Sequence, residues 1–167
     1  FIFNDILEIP YVFSPKNSQD FTLSYFENSL TIASIFFKNK NNWLCLDSLP
    51  SGPLKKCDNL VKILDSKLID NELPVIFGNS TFTIDRKGNG FLGLDIIGSI
   101  FFIMSRYEEV VINDRDQHDR FSSFTSFSYK ENFLQRPIVD EYAEILFSSM
   151  TRIWSNLKRK VHKPQIN

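Results

Sequence analysis

Apolar and polar positions alternate over two neighbouring segments in the first third of the chain. Residues 21–26 alternate, and residues 30–36 alternate in the same way. A period of two predicts half-buried β-strands. The polar residues Glu27 and Asn28 lie between the two segments. The pattern therefore predicts a β-hairpin.

Shorter segments complete the predicted framework. The apolar stretch 74–78 predicts a strand in the middle of a sheet, and residues 81–84 alternate again. Helical spacing over 59–69, preceded by Asp58 as an N-cap, predicts a helix. Weaker patterns predict the end of a helix over 1–8, a strand over 11–13 and an extended segment over 43–46. Together these segments predict an α/β fold with a mixed sheet flanked by helices.

The strongest helical pattern lies in the second half of the chain. If residues 96–104 form a helix, their apolar side chains cover most of its circumference. A helix that is apolar nearly all round is buried, so we predict a buried central helix near 95–109. Asp95 is its predicted N-cap. Phe101 is expected to lie in the core with its neighbours.

The second strong helical pattern is C-terminal. Pro137 suits the first turn of an amphipathic helix near 138–160, whose apolar residues recur every three or four positions. The polar and aromatic segment 113–131 is predicted to be a long loop. We interpret residues 1–160 as one domain, and 161–167 as the start of a linker to a further domain. Because the first residue is a phenylalanine and not a methionine, we expect the domain to be truncated at its N-terminus.

Composition and charge narrow the classes of function. The chain has 19 basic and 20 acidic residues, a net charge of −1, and therefore lacks the positive charge that nucleic-acid binding requires. Its longest apolar segment is too short to span a bilayer. The 17 phenylalanines are interpreted as a Phe-rich core and not as an aromatic ligand surface. The basic residues 158–160 are interpreted as charges that complement a helix C-terminus.

Residue types suited to catalysis or metal binding are few. Cys45 and Cys57 have no metal-binding spacing, and we expect free, buried thiols. Gly88, Gly90 and Gly93 have the spacing G-x-G-x-x-G, but a lone match of this kind is unspecific and we do not interpret it as a nucleotide-binding loop; a P-loop and the G-x-S-x-G motif are absent from the sequence. Asp116 and His118 form a D-x-H unit that lacks a third donor at a fixed spacing. The sequence therefore predicts no complete catalytic centre and no cofactor-binding residue in this chain.

One segment after the central helix is unusually rich in charge. Its members form a candidate polar network: Arg106, Glu108, Glu109, Arg115, Asp116, His118 and Arg120. A helix dipole disfavours carboxylates at the C-terminus, so Glu108 and Glu109 are expected to pair with arginines of the following loop. The favoured interpretation is an ion-pair network that pins the loop to the helix. The alternative is a polar pocket for a sugar or a neighbouring domain.

Several segments also resemble a known family. LDIIGSIFFIMSRYEE, RDQHDRF and FLQRPIVDEYAEIL, with SLPSGPL and LPVIFG more loosely, resemble a bacterial domain of unknown function that lies immediately before polysaccharide deacetylase (NodB-homology) domains. The matching residues are Asp95, Ser105 to Glu109, Asp116, His118, Arg120, Phe121, Arg136, Pro137 and Val139. Asp119 departs from the family pattern, which often has glycine at that position.

The resemblance implies an accessory role. A catalytic domain in the same chain would follow residue 167, remove acetyl groups from a polysaccharide and hold its own divalent metal. This chain would be the non-catalytic N-terminal accessory domain, with that deacetylase domain as its partner and with polysaccharide as a further candidate partner.

Two other functions stay open from the sequence. One is a stand-alone carbohydrate-binding or interaction module that uses exposed aromatic residues such as Trp43, Phe127 or Tyr129. The other is an independent hydrolase whose site is formed by Glu109, Asp116 and His118.

Overall fold

A computed structural model describes residues 2–7, 9, 12, 19–38, 40–64, 66 and 68–159. Residues 11 and 13 of the strand predicted over 11–13, and the whole linker predicted over 161–167, lie outside these described residues. The strands among the described residues are, in chain order, β1 (Phe21–Tyr25), β2 (Asn28–Ile32), β3 (Lys56–Cys57), β4 (Leu73–Pro74), β5 (Gly78–Ile84) and β6 (Gly90–Leu94). The α-helices are α1 (Asn59–Leu64), α2 (Ile96–Met104), α3 (Tyr107–Val111), α4 (Phe127–Lys130) and α5 (Ile138–Ile153).

The described part of the chain also contains short helical turns. Residues Ile2–Ile6 form a π-helical turn where the end of a helix was predicted. Residues Lys40–Asn42 and Leu46–Ser48 form 3₁₀ turns, so the prediction of an extended segment over 43–46 is wrong. The reason is local hydrogen bonding, because the Ser48 hydroxyl and backbone N–H both donate to the Cys45 carbonyl. In the part of the chain that the structure describes, no helix combines the length and apolarity that crossing a membrane requires.

The main sheet has the strand order β1-β2-β6-β5. The predicted hairpin is confirmed, since β1 and β2 pair antiparallel with Leu23 opposite Leu30. Strand β2 then pairs parallel with β6, and β6 pairs antiparallel with β5. Strands β3 and β4 form a separate two-stranded sheet. The predicted α/β class with a mixed sheet is therefore confirmed.

Helix α5 covers the sheet and forms the centre of the core. Ile145 and Leu146 of α5 are fully buried with Leu30 of β2 and Leu92 of β6. Tyr142 is also buried; its hydroxyl accepts from the Ile76 N–H at 2.9 Å and donates to the Pro74 carbonyl at 2.8 Å. Burial raises the pKa of the Tyr142 hydroxyl above its ordinary value, so it stays a neutral donor.

Asp95 connects the sheet to α2. It is the predicted N-cap, and its carboxylate accepts from the Gly98 N–H at 2.8 Å. The same carboxylate accepts from the backbone N–H groups of Ile35 and Phe36 at 2.7 and 2.8 Å. This explains why β2 ends at Ile32 and not at residue 36 as predicted: the backbone turns to donate to Asp95. The Asp95 side chain is fully buried, and burial raises the pKa of its carboxyl despite the three donors.

The predicted helical region near 95–109 is confirmed, but as two helices. The chain breaks between α2 and α3 at Ser105 and Arg106, where Arg106 takes a left-handed conformation with φ of 52°. Phe102 and Ile100 of α2 are buried, whereas Phe101 is 38% exposed. The prediction that Phe101 lies in the core is therefore wrong, because one face of α2 reaches the surface.

Other boundaries also differ from the predictions. Helix α5 starts near Pro137 as predicted but ends at Ile153, short of residue 160. Helix α1 ends at Leu64 and not at 69. Part of the loop predicted over 113–131 is helical, since α4 lies within it. Cys57 is buried and free as predicted, whereas Cys45 is free but exposed.

Candidate functional site: a cleft around Glu108

The break at Arg106 reverses the electrostatic setting of the neighbouring glutamates. Glu108 and Glu109 lie in the first turn of α3 and not at the C-terminus of a longer helix. The dipole at a helix N-terminus favours negative charge. The premise that these carboxylates face an unfavourable dipole is therefore wrong.

Arg106 and Glu109 nevertheless form an ion pair across this first turn. The Arg106 side chain is 72% exposed, so solvent screens the pair and its contribution to stability is small. It stabilises the break between α2 and α3 locally and reaches no residue of the following loop.

The loop that follows is held by its own hydrogen bonds. The Asp116 carboxylate accepts from the backbone N–H groups of His118 at 2.8 Å and Arg120 at 2.9 Å. It also pairs with the Arg120 guanidinium at 2.9 Å. These contacts hold the pKa of Asp116 below its ordinary value, with the Arg120 backbone donor as the largest cause. Asp119 closes the turn with φ of 58°, a conformation that glycine adopts without strain.

Arg115 links the loop to α3 through backbone carbonyls. Its guanidinium donates to the carbonyls of Glu109 at 2.6 Å and Ile112 at 2.7 Å. The end of α3 thus receives a cation that satisfies carbonyls without a helical partner.

The predicted polar network is therefore arranged as local groups. Arg106 pairs with Glu109, and Arg120 pairs with Asp116. Among the contacts of residues 106–120, the expected arginine–carboxylate pair between the loop and the helix is not found. Arg115 connects the two instead, by donating to the backbone carbonyls of Glu109 and Ile112. The exposed His118 ring contacts the Gln117 amide at 3.2 Å. Across the described ranges, no three His, Cys, Asp or Glu side chains form a group that could hold a metal ion.

Glu108 points away from this loop and towards α4. Its Oε2 accepts from the Phe127 N–H at 2.7 Å, which fixes the start of α4 against α3. Burial raises the pKa of the Glu108 carboxyl, and the neighbouring charge of Glu109 raises it further, whereas the Phe127 donor and Lys130 lower it.

Two depressions meet at Glu108 and Phe102, and we call them together the Glu108 cleft. One has a volume of about 230 Å³ and the other about 250 Å³. The first lies between the 49–52 turn and α4, and its lining includes Pro50, Thr125, Phe127, Lys130 and Glu131. The second is lined on the other side of Glu108 by residues that include Arg106, Glu109, Phe121, Ser123 and Ser126.

The far wall of the first depression is a glutamate that the sequence did not single out. Glu131 accepts from the Leu54 N–H at 2.8 Å through Oε2. Its other oxygen lies against Gly52, where a Cβ atom would collide with it. A glycine in the S-G-P turn is the one sequence signal for this close approach.

A second polar cluster, also missed, holds the start of α5. The Arg136 guanidinium donates two hydrogen bonds to the Glu141 carboxylate, at 2.9 and 3.1 Å, and their side chains are 15% and 4% exposed. Arg136 also pairs with Asp70, and Glu141 accepts from the Ile69 N–H. The backbone at Ile69 thus donates to a side chain of α5.

A third feature is an aromatic surface, defined by Phe37, Trp43 and Phe101. Their ring centroids lie 5.3 to 6.2 Å apart. Trp43 and Phe101 are each 38% exposed. The prediction that the phenylalanines form the core holds for Phe102, which is buried. At the aromatic surface, however, aromatic rings are also exposed to solvent. Of the other aromatic candidates, Tyr129 is exposed and Phe127 is partly buried against the core.

Comparison with known proteins gives one match. Neither the curated proteins nor the solved structures include a significant match to this chain. A family model described as a family of unknown function, DUF7033, matches residues 1–155. The expectation of a domain of unknown function is thus confirmed, and the chain belongs to the DUF7033 family.

Proposed function

We propose that this chain is a non-catalytic N-terminal accessory domain of a polysaccharide deacetylase-like protein that acts in bacterial polysaccharide metabolism. The motifs that resemble the deacetylase-associated family support the proposal from the sequence side. From the structural side, the aromatic surface supports it.

Aromatic side chains at the surface are typical of the centres of protein interfaces. The edge-to-face and tilted contacts among Phe37, Trp43 and Phe101 hold the rings rigid, so little side-chain entropy is lost when a partner covers them. Met104, one turn after Phe101 on α2, is 53% exposed and extends this surface.

The proposed occupant of this surface is the catalytic domain that the resemblance implies in the same chain. A domain joined by a linker has a high effective concentration, so a modest apolar surface is sufficient for association. The metal and the hydrolytic residues would belong to that catalytic domain.

The test uses the full-length encoded protein. Met104→Glu places a charge on the exposed edge of the aromatic surface without removing a core side chain. We expect its domains to separate, seen as a larger radius of gyration in X-ray scattering and faster amide exchange near residues 37–44. Phe26→Glu is the matched control, because Phe26 is 87% exposed on the β1–β2 turn. A coding sequence without a deacetylase domain, or equal behaviour of the two variants, would reject the proposal.

A further inference from the structure

The first depression of the Glu108 cleft contains polar groups whose hydrogen-bonding capacity is only partly used by the described residues. Among the described residues, the single donor to the Glu108 carboxylate is the Phe127 N–H, which binds Oε2. A carboxylate accepts up to about four hydrogen bonds, so Oε1 is available to a ligand. Lys130 lines the same depression and forms no ion pair with any described residue, although its charge acts on Glu108.

Two exposed aromatic residues directly precede lining residues of this depression in the sequence, although neither ring is part of its lining. Phe124 is 69% exposed and precedes Thr125, and Tyr129 is 47% exposed and precedes Lys130. The rings contact each other edge to face with centroids 5.1 Å apart. An exposed aromatic pair that is adjacent in sequence to the lining residues offers an apolar contact for a ligand that extends beyond the depression.

Size and chemistry together restrict the ligand. The depression of about 230 Å³ is smaller than the roughly 300–1,000 Å³ typical of drug-sized ligands, so it admits one ring-sized unit. Its lining combines apolar groups, from Pro50, Phe102 and Phe127, with the glutamates Glu108 and Glu131. A sugar ring has this combination of apolar faces and donor-rich edges.

We propose that the first depression of the Glu108 cleft binds one sugar ring of a polysaccharide, with a hydroxyl or amino group donating to Glu108 Oε1 and with Tyr129 and Phe124 supporting the adjacent unit. The two carboxylates against one lysine make amine-bearing rings the preferred ligands and carboxylate-bearing rings the excluded ones. The choice of a polysaccharide rests on the proposed function. Sugar binding is measured with this chain alone, without the neighbouring domain. The outcome is therefore independent of the proposed contact between the aromatic surface and the catalytic domain.

The experiment is a calorimetric titration of this chain with three tetrasaccharide probes: glucosamine, N-acetylglucosamine and galacturonic acid. We expect the glucosamine probe to bind most tightly and the galacturonic acid probe not to bind. Glu108→Gln keeps an acceptor for the Phe127 N–H but removes the charge. It should weaken glucosamine binding by about tenfold, the scale of one hydrogen bond to a charged group.

Exposed variants keep the test informative if Glu108→Gln fails to fold. Tyr129→Ala should also weaken binding by about tenfold, the scale of a stacking contact. Tyr25→Ala should leave it unchanged, since Tyr25 is similarly exposed at 52% but its ring contacts Phe26 and Trp154. No heat with any probe at millimolar concentration would overturn the proposal. So would galacturonic acid binding as tight as glucosamine binding, or equal losses in the two tyrosine variants.

Discussion

Two carboxylates at helix N-termini are used in opposite ways in this molecule. Asp95 is fully buried ahead of α2 and accepts from three backbone N–H groups, those of Ile35, Phe36 and Gly98. Glu108 is half-buried in the first turn of α3 and, among the residues that the structure describes, accepts from one backbone N–H group, that of Phe127. Asp95 has its acceptor capacity occupied by the protein, whereas Glu108 retains capacity beside a cleft. The number of donors already bound therefore separates a carboxylate that holds the fold from one available to a ligand.

The largest expected effect is the loss of Asp95. Asp95→Ala leaves three backbone donors without a partner, two of them on the loop after β2. We expect a loss of about 4 kcal/mol in the free energy of unfolding, since each buried unsatisfied group costs about 1–3 kcal/mol. Urea denaturation followed by circular dichroism measures it.

Asp85 provides the matched control for Asp95. Its carboxylate also accepts from backbone N–H groups, those of Lys87 and Asn89, but it lies in an exposed turn. Water replaces the lost acceptor in Asp85→Ala, so its destabilisation should be far smaller. Equal losses for the two variants would show that the three buried bonds of Asp95 do not hold α2 to the sheet.

Glu141 is a third carboxylate, which is buried with a charged partner. Arg136→Met removes that partner and leaves a charge in a side chain that is 4% exposed. We expect a loss of about 3 kcal/mol, because breaking one side of a buried pair is costly. Adding Glu141→Leu should recover most of it, and thermal unfolding of both variants measures this. A double variant no more stable than Arg136→Met would contradict the stated cause.

The ionisation of Glu108 gives a smaller, pH-dependent effect. Because burial raises its pKa in the folded state, the folded protein binds more protons than the unfolded chain above the ordinary value of 4.5. Wild-type stability should therefore fall relative to Glu108→Gln as the pH rises from 4.5, and the difference should be constant below that pH. Unfolding midpoints across pH 4–8 test this direction. A difference that moves the opposite way would mean that the bond to Phe127 outweighs burial.

The sequence predicted those parts of the fold that rest on periodicity and capping. The β1–β2 hairpin, the buried face of α5 and the Asp95 cap all follow from local patterns. Strand β6 was missed because Gly90 and Gly93 weaken its strand propensity. Both glycines serve packing: a Cβ at Gly90 would meet Ile153, and one at Gly93 would meet Asn79. Contacts between distant segments are invisible to a local pattern.

The sequence identifies a segment rich in charge, but it does not show how the charged groups are arranged. The predicted pairing of Glu108 and Glu109 with arginines of the loop assumes that one helix continues to residue 109, whereas the two residues lie in the first turn of a separate helix. The left-handed backbone of Arg106, which separates α2 from α3, has no signal in an arginine. Glu131 and Lys130 were missed because they reach the cleft from another segment. Changes in backbone direction therefore determine which charged side chains lie at the same site.

The same reasoning gives the smallest expected effect, at a left-handed residue beside the cleft. Asp119 has φ of 58° in an exposed turn, and its side chain is not the acceptor that holds the turn, since Asp116 has that role. Asp119→Gly relieves the backbone strain but increases the entropy of the unfolded chain. We expect a net gain of about 0.5 kcal/mol. Asp119→Ala should instead lose up to about 1 kcal/mol, because alanine tolerates this conformation less well than aspartate. Denaturant midpoints for the two variants should therefore move in opposite directions from wild type. Shifts of the same sign would show that the Asp119 side chain, and not its backbone conformation, determines the stability of the turn.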